Sequence, residues 1–214
     1  MSIKPERLHG LYAVTPDWLD TGRLAAAVRD AVAGGAVLVQ YRNKAADPAL
    51  RRRQAGVLQA ICVAGGVPLV INDDLEIALE TGAAGLHVGR DDASARAARV
   101  RLGAGRLLGV SCYNQIDRVD AAIAAGADIV GIGAVFASAT KPSAVQAPLA
   151  LLGDARSRGV TVAAIGGITL GNAPELIHAG ADLLAVIADL FDNPDVAARA
   201  AAYAELFATM EPRA

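Results

Sequence analysis

Short β-branched or Leu-rich runs recur along the chain, each followed by a longer stretch rich in Ala, Leu and Arg. The runs are 11–15, 37–42, 68–72, 85–88, 107–111, 129–135, 160–165 and 183–188. Their length and their bounding glycines predict eight buried strands. The stretches between them predict helices, among them 23–33, 48–63, 116–125 and 174–179. Several helix-to-strand joins share a phrase: AGGA at 33–36, TGAAG at 81–85, and AGAD at both 125–128 and 179–182. It describes a helix ending at Ala, a Gly in the left-handed C′ position, and a strand starting at once. Strands alternating with helices mean βαβ units and a parallel sheet. Eight such units in about 200 residues fit a (β/α)8 TIM barrel near its minimum size. An open doubly wound sheet is the alternative, but the G-x-G-x-x-G phrase it needs after the first strand is missing after Thr15.

Composition narrows this picture. The chain has 214 residues, and 54% are hydrophobic and 20% charged. That excludes intrinsic disorder and predicts one domain over 1–214, with a core about 10–208. Aromatics are only 4%, so Ala, Val, Leu and Ile must build the core. A net charge of −2 argues against a general nucleic-acid binder. Cys62 and Cys112 have neither zinc nor disulfide-framework spacing and read as reduced core thiols. The first ten residues carry charges where a signal peptide needs an apolar stretch, and no run reaches the roughly 18 apolar residues of a membrane span. A soluble, cytoplasmic protein without a membrane partner is expected. The oligomeric state, including a homo-oligomer, is left open.

In such a barrel the chemistry stands at the C-terminal ends of the strands. The second strand runs into QYRNK, where Gln40, Arg42 and Lys44 alternate to one side if the strand continues, and Val39 and Tyr41 face the helices. Otherwise Arg42 and Lys44 lie in a solvated loop. Only Lys4, Lys44 and Lys141 are lysines among twenty basic residues. Two of the three fall in strand-end loops, where a compact charge suits phosphate. The third strand ends in Asn72-Asp73-Asp74, and the fourth is followed by Arg90-Asp91-Asp92. Carboxylates on adjacent strand ends can converge on one Mg2+ ion; each can equally cap the helix that follows. His87, between glycines, reads as a structural residue. Ser111 lacks a nucleophile elbow and reads as a hydrogen-bonding group. Gly131 and Gly133 leave room on one face for a ligand, and Ser138, Thr140 and Lys141 supply hydroxyls and a cation, or form an ordinary loop. Gly166-Gly167 and the end of the eighth strand suit a phosphate held by backbone N–H groups.

Taken in order, LYAVT (11–15), QYRNK (40–44), INDD (71–74), GLHVGRDD (85–92), GVSCYN (109–114), GADIVGIGAVFASATK (126–141) and AIGGIT (164–169) resemble the thiamine phosphate synthase (thiamine-phosphate pyrophosphorylase) family over residues 10–190. The resemblance implies a TIM barrel and a transferase. It would join a pyrimidine methyl diphosphate to a thiazole phosphate in thiamine biosynthesis, releasing diphosphate. It assigns Gln40, Arg42, Lys44 and Asn72 to the pyrimidine diphosphate and Asp73 and Asp92 to Mg2+. Ser111 and Lys141 fall to the substrate and its diphosphate, and Arg42, Lys44, Ser111 and Lys141 would be the catalytic groups. Ser138, Thr140, Gly167, Ile187 and Ala188 would hold the thiazole phosphate. The chain departs from the family pattern at Arg90-Asp91, at Asp74, and at Ala188, where a serine is usual. A sister thiazole tautomerase would need a histidine two residues after Ser111, where this chain has Tyr113. A non-catalytic ligand-binding barrel is the other alternative.

Overall fold

The computed structural model describes residues 8–89, 95–137 and 145–210. The strands are β1 (Gly10–Val14), β2 (Leu38–Tyr41), β3 (Leu69–Asn72), β4 (Gly85–Val88), β5 (Leu107–Tyr113), β6 (Ile129–Ile132), β7 (Thr161–Ile165) and β8 (Leu183–Val186). The helices are α1 (Thr21–Ala33), α2 (Pro48–Ala64), α3 (Leu75–Glu80), α4 (Ala95–Leu102), α5 (Ile116–Ala124), α6 (Ala150–Arg156), α7 (Ala173–His178), α8 (Ala188–Phe191) and α9 (Val196–Thr209). The strands pair in chain order, all parallel, and β8 closes on β1. This is the (β/α)8 barrel that the alternation of runs predicts.

The two-residue period of a strand sorts the core into two clusters. Tyr12, Val14, Leu38, Val70, Leu107, Ile129, Ala163, Leu183 and Ala185 fill the barrel interior. Their strand neighbours, such as Leu11, Val39, Leu86, Val130 and Leu184, face outward into a larger cluster with the helices. Both clusters are chiefly Ala, Val, Leu and Ile, as the low aromatic content requires. Cys62 and Cys112 are unpaired and buried, and burial pushes both thiols up to about 12, so neither is a thiolate at neutral pH. No helix among the described residues is long and apolar enough to cross a membrane.

The AGAD phrases have a further purpose at the N-terminal rim. Gly126 (φ 87°) and Gly180 (φ 107°) take the left-handed turn expected of them. The Asp that follows then reaches back to the preceding strand. Leu108 N–H donates to Asp128 Oδ2 (2.9 Å), and Val162 N–H donates to Asp182 Oδ2 (3.0 Å). Arg99 and Arg156 pair with these two acids. Each aspartate thus caps a strand start whose N–H lies outside the regular ladder.

Among the strands that end earlier than the sequence suggests, β2, β6 and β8 bear on the barrel mouth. β2 stops at Tyr41 rather than at residue 42. β6 stops at Ile132 rather than 135, because the chain swings over β7, with Val135 N–H donating to Ile165 O and Phe136 N–H to Gly166 O. β8 stops at Val186, and Ala188 already opens α8.

Asp182 is fully buried, whereas the Asp128 side chain is 22% exposed. Asp182→Ala should therefore cost more stability than Asp128→Ala, by leaving a buried N–H without an acceptor, about 1–3 kcal/mol. Urea unfolding of both variants checks this; an equal or reversed ranking contradicts it.

Candidate active site

The loop after β2 is built around a carboxylate from the loop after β1. Gln40 points into the barrel, 5% exposed, and its Nε2 donates to Tyr12 Oη (2.6 Å). Tyr41 faces outward and donates its hydroxyl to Gln54 Oε1 (2.9 Å). Beyond the strand, Arg42 is clasped through its backbone: its N–H donates to Thr15 Oγ1 (2.9 Å), whose hydroxyl donates to Arg42 O (2.8 Å). Its guanidinium Nη1 donates to both oxygens of Asp17, at 3.0 and 3.1 Å. Lys44 N–H donates to the same carboxylate (2.7 Å). Asn43, buried between them, donates to Trp18 O and Gln54 Oε1 and accepts from Ala45 and Ala46 N–H. The alternation of Gln40, Arg42 and Lys44 on one strand face is therefore corrected. Only Gln40 is on the strand; Arg42 and Lys44 belong to a loop ordered by Asp17 and Asn43.

The three residues after Ile71 each take a different task. Asn72 ends β3 and donates its Nδ2 to Asp73 Oδ2 (2.6 Å). Asp73 adopts φ 64°, a left-handed conformation that Asp tolerates better than most side chains. That turn lifts its carboxylate to the barrel mouth, where Gly89 N–H donates to Oδ1 (3.2 Å) and Lys44 Nζ stands 3.8 Å from Oδ2. Asp74 caps α3 by accepting from Ile77 N–H (3.0 Å). Of the two readings open from the sequence, capping falls to Asp74, and Asp73 faces the mouth instead.

Lys44, Asn72 and Asp73 line one cavity of about 290 Å3, with Tyr41, Asn43, Arg51, Asp74 and Ile77 among its walls. Arg51 was not singled out by the sequence. It enters from the first turn of α2, its Nη1 4.0 Å from Asp74 Oδ2 and its Nε buried without a hydrogen-bond partner among the described residues. Gln40, Arg42 and Ser111 do not line this cavity, although they stand at the same rim.

On the neighbouring strand, in register with Asn72, His87 reaches across to Ser111, with Nε2 3.0 Å from Oγ. Burial pushes the imidazole down to about 4, so the ring is neutral at physiological pH. The glycines expected to make room for a ligand have other uses. A Cβ at Gly131 would fall 3.4 Å from His87 Cε1, and one at Gly133 only 2.0 Å from Ile165 O. They accommodate the imidazole and the neighbouring strand. Gly167 (φ 61°) likewise lets the chain at 136–137 pass close: a Cβ there would meet Ala137 O at 2.3 Å. Asn172 ties down this turn, donating to Gly167 O (2.9 Å) and accepting from Thr169 N–H (2.8 Å). Ile187 precedes α8 and Ala188 begins it. Asp92, Ser138, Thr140 and Lys141 lie outside the described residues.

The described part of the site offers one oriented carboxylate rather than a metal cage. Among the described residues no group of three or more His, Cys, Asp or Glu could hold a metal ion. That donor set fits Mg2+, which takes one or two carboxylates and fills its remaining positions with water and substrate phosphate.

Comparison with known proteins agrees with this architecture. The family model for thiamine monophosphate synthase matches residues 11–190. A thiamine-phosphate synthase of Aromatoleum aromaticum is 56% identical over 202 residues, covering 94% of this chain and 97% of that one. One from Azoarcus sp. is 54% identical over 204 residues, covering 95% and 99%. The solved structure of a thiamine phosphate pyrophosphorylase from Pyrococcus furiosus superposes with a TM-score of 0.84 at 26% identity, over 93% of this chain and 95% of that one. On the family-model match over 11–190 and these identities, the chain belongs to the thiamine monophosphate synthase family and is an enzyme of the transferase class.

Proposed function

We propose that this single-domain barrel catalyses the Mg2+-dependent joining of an aminopyrimidine methyl diphosphate to a thiazole phosphate, giving thiamine monophosphate and pyrophosphate. The observation that carries the proposal is the cavity in which Lys44, Asn72 and Asp73 meet, a cation beside an oriented carboxylate at the barrel mouth. A metal-bound diphosphate needs that combination.

The reaction asks for no enzyme nucleophile. When pyrophosphate leaves, the pyrimidine methylene becomes a cation stabilised by the ring amino group, and the thiazole nitrogen then attacks it. The protein must neutralise growing charge on the leaving group and hold two rings in line. Asp73 and Asp92 would hold Mg2+, whose contribution when bound is to offset diphosphate charge. Arg42, Lys44 and Lys141 would bring positive charge to the leaving oxygens, and pairing with Asp17 already holds Arg42 in place. Gln40, Asn72 and Ser111 would orient the pyrimidine diphosphate. Ser138, Thr140, Gly167 and the backbone at Ile187 and Ala188 would hold the thiazole phosphate; at Ala188 only the main-chain N–H remains for it. The bound substrates would have to be screened from water, which would otherwise capture the cation.

The tautomerase alternative lacks its base, since Tyr113 occupies the position where that reaction needs a histidine. A binding-only barrel predicts no turnover. Continuous measurement of pyrophosphate release separates the readings: release should require both substrates and Mg2+, and its absence under those conditions refutes the proposal.

The same assay tests the second metal ligand. Asp92→Ala should abolish Mg2+-dependent release, whereas Asp91→Ala should retain most of it. Equal and severe losses in both variants contradict the assignment of Asp92.

A further inference from the structure

His87 is wedged into the barrel wall by an arrangement of glycines. It points inward from β4 and is 8% exposed. Its ring lies across β5 towards β6: a Cβ on Gly109 would fall 2.3 Å from Nδ1 and 3.0 Å from Cγ, and one on Gly131 3.4 Å from Cε1. Two consecutive strands thus forgo side chains at the level where the imidazole sits. Among the described residues the ring makes one hydrogen bond, between Nε2 and Ser111 Oγ. Nδ1 is buried against Gly109 and has no partner among the described residues.

A neutral imidazole carries one N–H, and its position decides what Ser111 can do. With the proton on Nδ1, a buried donor is orphaned, and Ser111 must spend its own proton on Nε2. With the proton on Nε2, the ring donates to Ser111 Oγ, and only an acceptor is left without a partner. Orphaned buried N–H groups are rarer than unpartnered acceptors, so the second tautomer is favoured. Ser111 then keeps its only proton for whatever enters the mouth. Its strand helps to aim it: β5 changes register against β6 between Ser111 and Tyr113, a bulge of the kind that re-aims side chains beside active sites.

We infer that His87 is a positioning residue that holds Ser111 as a hydrogen-bond donor towards an acceptor atom of the pyrimidine diphosphate, through the contact between its Nε2 and Ser111 Oγ and the glycine slot that fixes the ring. This rests on the proposed synthase reaction for the identity of the ligand, but the polarity of the pair is a property of the protein alone.

Two measurements test it. Long-range 15N–1H spectra of the histidines in the wild-type protein, with the His87 signals assigned by their loss in His87→Phe, should show the Nε2–H tautomer. A protonated Nδ1 overturns the inference whatever the enzyme turns over. In the pyrophosphate assay, His87→Phe should lower kcat/KM about tenfold, the scale of one lost oriented hydrogen bond, and His87→Gln, which can still donate, should recover part of it. In a Ser111→Ala background His87→Phe should cost no more than about a further twofold, because residues acting through one contact are not additive. A full tenfold loss in that background assigns His87 a role independent of Ser111 and overturns the inference. A wild-type protein that releases no pyrophosphate refutes the proposed function, and the tautomer measurement still decides the polarity of the pair.

Discussion

A polar side chain that points into a closed parallel barrel must find its partner inside, because the interior has no water to offer. That constraint shapes this molecule. Its lower layers are Leu, Ile, Val and Ala, and its inward polar groups gather towards the C-terminal end, where they are matched in pairs. Gln40 meets Tyr12, Asn72 meets Asp73, and His87 meets Ser111. Several of these paired groups are also the ones proposed to meet the substrate. The interior is thus polar at one end and packed with apolar side chains at the other. The N-terminal rim obeys the same rule with protein partners only, since Asp128 and Asp182 accept from strand N–H groups there.

Charge at the mouth follows similar logic. Two carboxylates on different loops each organise a cation: Asp17 holds Arg42, and Asp73 stands beside Lys44. A pair this exposed adds little to stability; the Lys44 side chain is 58% exposed. Its value lies in orientation. Arg42 is fixed by a two-pronged contact and by a clasped backbone, so little further ordering is needed when an anion arrives. Asp73 is held by Asn72 and by Gly89 N–H in a backbone conformation that most side chains resist, which fixes the direction of its carboxylate.

Much of this was legible in the sequence, and the remainder failed for physical reasons. Strand count, barrel closure and the left-handed glycines followed from local patterns, because hydrophobic period and helix C-caps are encoded within a few residues. INDD could be placed at a strand end, but the division between Asp73 and Asp74 depends on one φ angle that composition does not reveal. At Gly131 the open space borders the His87 ring, where a Cβ would stand 3.4 Å from Cε1. A missing side chain announces space without saying what fills it, and here the filler comes from two strands away. Asp17 and Arg51 were missed because their significance lies in contacts made across the fold. Asp92, Ser138, Thr140 and Lys141 were singled out from motif resemblance and fall outside the described residues.

The arrangement gives Asp73 the central place, as the described carboxylate that faces the mouth beside Lys44 and Asn72. Calorimetric titration of the wild-type protein and of Asp73→Asn with inorganic pyrophosphate, with and without Mg2+, tests that place directly. The wild type should bind pyrophosphate saturably only when Mg2+ is present, and Asp73→Asn, which keeps the shape but loses the charge, should bind at least about tenfold more weakly. Equal binding by both proteins, or binding by the wild type that is indifferent to Mg2+, would contradict the site as described.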